Sequence, residues 1–267
     1  MKKSRLAKVL TVSLAALMVF GLASCGGGSG KVSDKDITVI SREEGSGTRD
    51  AFTELTGVLQ DDVDKTVDTA EISNSTSVVT QSVAGNDAAI GYISLGSLDD
   101  TVKAVKVDGV EATVDNIKSG DYKIQRPFNI VTKGEVKELP ADFIKFIMSK
   151  DGQKIIEDEG YISVNENAEA YKASGLKGSI TLAGSTSVSP VMEVLADKYK
   201  ELNSGVTIEI QQTGSGAGIQ STTEGVCDIG MASRELKDEE TSQGLKSEEI
   251  ALDGIAVIVN KDNGVED

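Results

Sequence analysis

Three short segments bring glycine and hydroxyl side chains together: Arg42-Glu43-Glu44-Gly45-Ser46-Gly47-Thr48, Gly184-Ser185-Thr186-Ser187-Val188-Ser189-Pro190 and Thr213-Gly214-Ser215-Gly216-Ala217-Gly218. Each follows an apolar stretch with strand character and opens a stretch with helical spacing. The first residues of a helix leave backbone N–H groups unpaired and carry partial positive charge, so such loops hold anions. Glycine lets the backbone approach the ligand, and hydroxyls add uncharged donors. Arg42 adds a planar fork that matches a tetrahedral oxyanion. No Gly-Lys-Ser/Thr follows the glycines, so these are not nucleotide P-loops. A GxGxxG dinucleotide fingerprint is also missing. One loop of this kind is a common helix cap; three in one chain, one beside an arginine, point to an oxyanion site.

The composition narrows the chemistry. Histidine is absent from all 267 residues. That removes Ser-His-Asp and Cys-His catalysis and the commonest zinc ligand. A hydrolase built on Ser46 or Ser187 lacks a base, since no Ser-x-x-Lys occurs at these loops. The chain therefore reads as a binding protein and not an enzyme, with no cofactor and no metal. Its formal net charge is −16, which becomes −20 without Lys2, Lys3, Arg5 and Lys8 at the N-terminus. Nucleic acid is an unsuitable partner for so acidic a chain. Any anion site must work through local donors against a repulsive long-range field.

Those four cations precede an apolar run, Val9 to Ala23, which has the form of a secretory signal peptide over residues 1–24. It ends in Leu22-Ala23-Ser24-Cys25, the pattern of a bacterial lipobox, which implies lipid attachment at Cys25. Residues 25–36, rich in glycine at the start, form a flexible tether. The expected location is the outer face of the cell membrane, held by lipid. With Cys25 acylated, Cys227 has no disulfide partner, so an aliphatic core must stabilise the fold.

Strand and helix signals then alternate. Strands are expected at Ile37–Ile40, Ala88–Ser94, Val102–Val107, Phe128–Thr132, Ser179–Ala183, Val206–Gln211, Asp228–Ala232 and Ile250–Val259. Helices are expected at Asp50–Leu55, Val78–Ala84, Ala141–Met148, Gly152–Glu157 and Val191–Leu202, with another opening near Ile219. Asn74-Ser75-Thr76-Ser77 supplies N-cap residues, and Asn165 to Lys177 reads as a linker. This is the pattern of an α/β protein.

The segments GSITLAGSTSVSPVMEVLADKY, QQTGSGAGIQ, DIGMASREL, EGSGTRDAF, NDAAIGYISLG and FIMSKDGQKIIEDEGYI closely resemble the periplasmic phosphate-binding protein of the high-affinity phosphate ABC importer, in its Gram-positive lipoprotein form. The resemblance spans about residues 37 to 262. It implies a two-lobed, type II periplasmic-binding-protein fold closing by a hinge on inorganic phosphate, and an ABC permease as partner. Carried over by motif, the phosphate-binding residues are Arg42, Ser46, Gly47, Thr48, Thr186, Ser187 and Ser215. Some family members place at Ser233 an aspartate that accepts the proton of hydrogen phosphate; an acceptor there excludes sulfate. Glu43 and Glu44 read as replacements for that acceptor, as partners that orient Arg42, or as solvated loop charges. Ser233 and Glu44 are thus further candidates.

The resemblance also implies a circular permutation. The family's later half comes first here and runs through residues 165–177 into the family's opening segment at Gly178. Residues 37–126 are then lobe two, lacking a piece, and 127–267 lobe one. Residues from about Pro127 to Asn263 are expected to form one continuous lobe, with one of the family's two crossings lost. Completion of lobe two by a second copy, a domain swap, is a further expectation. Alternative readings are a surface phosphate sensor, a rearranged relic, or a binder of another tetrahedral oxyanion such as sulfate.

Overall fold

Alternating strand and helix patterns over the first half build one α/β unit. The structure, a computed structural model, describes residues 36–265. The signal peptide, Cys25 and nearly all of the tether lie outside these residues. The first half contains β1 (Thr38–Arg42), α1 (Gly47–Leu55), β2 (Leu59–Gln60), β3 (Val63–Asp64), β4 (Glu71–Ser73), α2 (Thr76–Ala84), β5 (Ala89–Ser94), β6 (Val102–Ala104) and α3 (Val114–Lys118). The second half contains β7 (Gln125–Lys133), α4 (Glu138–Ile147), α5 (Lys150–Asp158), β8 (Ile162–Ser163), β9 (Gly178–Gly184) and α6 (Ser189–Leu202). It continues with β10 (Val206–Gln212), α7 (Ser215–Glu224), β11 (Ile229–Ala232), α8 (Asp238–Thr241) and β12 (Leu245–Asn260).

The main sheet runs β10-β9-β11-β7-β12-β5-β1-β4, with β6 and β8 also pairing β12. In the second half, β9 pairs parallel with β10 and β11. In the first, β1 lies parallel between β4 and β5. Helices bury the faces on both sides. The second half has one large core around Phe128, Phe143, Phe146, Leu182, Leu195 and Tyr199. The first half has two smaller ones, around Val79, Val83 and Ile93 and around Tyr92, Tyr122 and Ile255. Its edge strand β4 leaves Ile72 exposed, as are Val67 shortly before it and Ile37 just before β1.

The last strand corrects one expectation. β12 pairs with β7 from Leu245 to Gly254, and its continuation Ile255–Val259 pairs with β5. Residues 255–260, grouped by sequence with the second half, therefore lie in the sheet of the first, and the chain crosses twice between the halves. The reason is Ile255-Ala256-Val257-Ile258-Val259: an unbroken apolar run must be covered on both faces. One face packs Ala256 and Ile258 with Val79, Val83 and Ile93, the other packs Ile255 and Val257 with Tyr92 and Tyr122, and β5 and β6 pair its two edges.

The segment between β8 and β9 carries no helix or strand, in keeping with its polar sequence, yet it is held down. The Tyr171 hydroxyl and the Ser174 hydroxyl both donate to Asp142, at 2.5 and 2.7 Å. The Tyr171 N–H donates to Asp151, and the Gly175 N–H to Asn203 Oδ1.

Where the two crossing strands meet the first half, Arg126 of β7 faces Asp253 of β12. Its Nε and Nη2 donate to Oδ2 at 3.2 and 3.1 Å, and the Ser94 hydroxyl donates to Oδ1 at 2.9 Å. Both charged side chains are almost wholly buried. Burial pushes the Asp253 carboxyl up to about 6, although Arg126 and Ser94 pull the other way. A pKa raised on folding favours the native state below the unfolded value, near 4, and that contribution is lost as pH rises through the folded value. The stability advantage of wild type over Asp253→Asn should therefore be largest near pH 4 and shrink through about pH 6. Thermal melts of both proteins across that range check this; a gap that ignores pH would sink it.

Candidate functional site

The three glycine-hydroxyl loops meet where the two halves face each other, and each leads into a helix. Ser46 caps α1, its hydroxyl accepting from the Arg49 N–H at 3.4 Å. Thr186 and Ser187 precede α6, and Ser215 is the first residue of α7. A fourth helix joins them. Thr76 opens α2, and its hydroxyl lies 3.1 Å from that of Thr186 and 3.2 Å from that of Ser187. Four helix N-termini, two from each half, thus converge on one polar cluster.

Arg42, at the end of β1, is 2 % exposed and sits at the centre. A buried guanidinium needs a counter-charge and filled hydrogen bonds. Glu43 supplies both: Nε donates to Oε2 and Nη2 to Oε1, each at 2.9 Å. The Ser73 carbonyl accepts from Nε as well. The opposite side of the guanidinium faces hydroxyls, with Nη2 3.1 Å from Thr186 Oγ1 and Nη1 3.4 Å from Thr76 Oγ1. Arg42 is thereby fixed on one edge and presents the other to the cluster. Beneath it, the Tyr92 hydroxyl accepts from the Arg42 N–H, and the ring of Tyr92 stacks on Phe52 at 4.0 Å.

Further contacts join the halves. Thr48 and Ser187 hydroxyls are 2.9 Å apart, and the Gly216 N–H donates to the Gly45 carbonyl at 2.9 Å. Ser233 is fully buried in the cluster: its hydroxyl accepts from Ser185 at 3.0 Å and lies 3.3 Å from that of Ser215. Its N–H donates to Ser215 Oγ at 3.2 Å.

The structure brings together Arg42, Ser46, Gly47, Thr48, Thr186, Ser187, Ser215 and Ser233. It leaves out Glu44, which is exposed. Of the two glutamates, Glu43 is the one that orients Arg42. Sequence reasoning missed Thr76 as a site residue and Ser185 as the group that fixes Ser233. The run Asn74-Ser75-Thr76-Ser77 repeats the strand-hydroxyl-helix design without a glycine, and that design was the available signal. Among the described residues, no group of three or more His, Cys, Asp or Glu side chains is placed to hold a metal.

A cluster of neutral donors, helix N-termini and one cation, enclosed between two α/β halves joined by paired strands, is the architecture of a solute-binding protein. A family model described as a PBP superfamily domain matches residues 29–151 and 169–267. The phosphate-binding protein PstS 2 of Streptococcus agalactiae serotype V is 52% identical over 274 residues, covering 100% of this chain and 92% of that protein. A phosphate-binding protein of a phosphate ABC transporter from Streptococcus pneumoniae TIGR4, known from its crystal structure, is 51% identical. That match has a TM-score of 0.68 and covers 86% of this chain and 91% of the other. The PstS of Bacillus subtilis is 34% identical over 144 residues, 53% of this chain and 46% of its own length. The chain belongs to the PstS family of phosphate-binding proteins. Because one alignment spans the whole chain, the S. agalactiae relative carries the loops in the same order.

Close approach of the halves depends on Gly47. A Cβ there would lie 2.5 Å from Ser215 Oγ and 2.7 Å from Ser233 Oγ. Both hydroxyls are short and held, so Gly47→Ala should keep the loops apart while leaving each half folded. Weaker oxyanion binding by about 10- to 100-fold is expected, following the usual cost of overpacking. Calorimetric titration beside a far-ultraviolet spectrum checks it; unchanged affinity would show that the loops do not need this contact.

Proposed function

We propose that this chain is a non-catalytic, extracytoplasmic lipoprotein that captures inorganic phosphate and hands it to an ABC importer. The observation that carries the reading is the convergence of four helix N-termini and the free edge of Arg42 on one buried set of hydroxyls. Such a site offers N–H and O–H donors from many directions, as a tetrahedral dianion requires. It does so with a single cation already half-neutralised by Glu43. Neutral donors bind an anion without demanding a counter-charge in the empty state, which suits a protein whose overall field repels anions. The names of its close relatives, phosphate-binding proteins of phosphate ABC transporters, agree with this reading. Residues proposed to touch phosphate are Arg42, Ser46, Gly47, Thr48, Thr76, Thr186, Ser187 and Ser215. The lipobox at Cys25 supports anchoring at the outer membrane face. A permuted order relative to the B. subtilis protein, whose match extends over 53% of this chain and 46% of its own length, is part of the same proposal.

Ser233 favours a second reading of the ligand. Ser185 donates to the Ser233 hydroxyl, and the Ser233 N–H donates to Ser215. With one bond between the two hydroxyls, the pair keeps one hydrogen and one lone pair for a ligand. It can accept the proton of hydrogen phosphate, or turn and donate to a fully ionised oxyanion. A fixed carboxylate could do only the first. Sulfate is therefore a weaker but real competitor.

Calorimetric titration with phosphate and with sulfate tests both statements. Phosphate should bind, raise the melting temperature by mass action, and outcompete sulfate by about 10- to 100-fold, since one hydrogen bond decides. Arg42→Ala should weaken phosphate by at least about 100-fold. No heat from either anion on the wild-type protein would overturn the reading.

A further inference from the structure

We propose that Arg234 and Asp50 form a latch that holds the two halves shut and sets how long the bound anion stays. The proposal rests on the reading above only in that the halves part to admit a ligand. Arg234 follows Ser233, and its carbonyl accepts from Asn129 Nδ2 at 3.0 Å. Its side chain is nearly buried and is held by its own half: Nη1 and Nη2 donate to Glu240 of α8, each at 2.8 Å, and Nη1 also to the Glu235 carbonyl. Burial disfavours the Glu240 charge, but hydrogen bonds from Arg234 and the Lys237 N–H outweigh it and hold the carboxyl below its usual range. The guanidinium is thus charged and aimed before the other half arrives.

What it is aimed at is Asp50. Arg234 Nε lies 2.9 Å from Asp50 Oδ2, across the boundary between the halves. The contact is Coulombic, because the N–H does not line up for a hydrogen bond to that oxygen. Lys237 adds a longer approach to the same oxygen at 3.9 Å. Asp50 lies in the first turn of α1, the helix begun by Ser46, Gly47 and Thr48. It therefore moves with the loop that closes on Ser187 and Ser215. Among the described residues, these are the ion pairs that join α1 to the second half; Arg49, its neighbour, is instead paired to Asp64 within the first. Separation of the halves must break the Arg234–Asp50 contact while leaving Arg234–Glu240 intact. A contact made only on closure stabilises the closed state and leaves the open, capturing state unchanged. Its effect belongs in the release rate.

The test compares full-length wild type with Asp50→Asn, a near-isosteric change on a partly exposed carboxylate. Arg234→Gln and the double variant complete a cycle. With inorganic phosphate, Asp50→Asn should speed release by about 2- to 5-fold, the upper range of a partly exposed ion pair, and change association by less than about 1.5-fold. The double variant should be no worse than the weaker single one. Spin labels at Gln60 and Glu224, in a Cys25→Ser, Cys227→Ser background, read the separation of the halves directly. At a fixed, subsaturating phosphate concentration, Asp50→Asn should lower the population at the short, closed distance. Labels that ignore phosphate in the wild type would count against the binding reading. Identical distance distributions in wild type and Asp50→Asn, or an unchanged release rate, would overturn the latch.

Discussion

The bidentate pairing of Arg42 with Glu43 is the constraint around which the site is arranged. A guanidinium buried to this degree is costly unless both its charge and its hydrogen bonds are met. Glu43 meets them on one edge, next door in sequence, so the opposite edge is turned towards Thr76 and Thr186. Everything else in the cluster is neutral. The helices contribute partial charge through their first N–H groups, which cannot be lost by proton transfer and cost little when empty. Hydroxyls fill the remaining directions, and they satisfy one another across the boundary through Thr48–Ser187 and Thr76–Ser187. The same groups thus seal the halves together and form the donor set.

The second requirement is that strands from one half carry loops to the face of the other. β1, β9 and β10 end at the cluster, and their helices start there. Gly218 permits this in the second half: a Cβ would lie 2.4 Å from Gly184 Cα and 2.5 Å from the Ala183 carbonyl. With no side chain in the way, α7 packs directly on the end of β9. Ser215 and Thr186 are brought within one site by that backbone contact.

Much of this was legible in the sequence because glycine and hydroxyl runs are local signals. The strand before each loop and the helix after it were placed to within a few residues, and the cluster gathered all the motif positions but Glu44. The failures have physical causes. Thr76 carries no adjacent glycine, so its loop looked like an ordinary cap. Glu43 and Glu44 are indistinguishable by type, and only the backbone path decides which one folds back over Arg42. The opening of β12, Lys246-Ser247-Glu248-Glu249, is polar because those residues are exposed, so the strand seemed to begin at Ile250. β4 and the β2–β3 hairpin are too short to show a period. Long-range pairing was also hidden: nothing local says that Ile255–Val259 joins a sheet begun more than two hundred residues earlier.

The crossing of β7 and β12 has a mechanical meaning. The two strands run antiparallel and hydrogen-bonded through the point where one half gives way to the other. A pair of unlinked coils would let the halves swing in any direction. A bonded ribbon cannot shear along its length without breaking its ladder, and it is stiff to bending within its own plane. It yields readily only by twisting and by flexing out of that plane. The motion left to the molecule is therefore confined to those two modes, so the donors of each loop return along a restricted path and arrive in register.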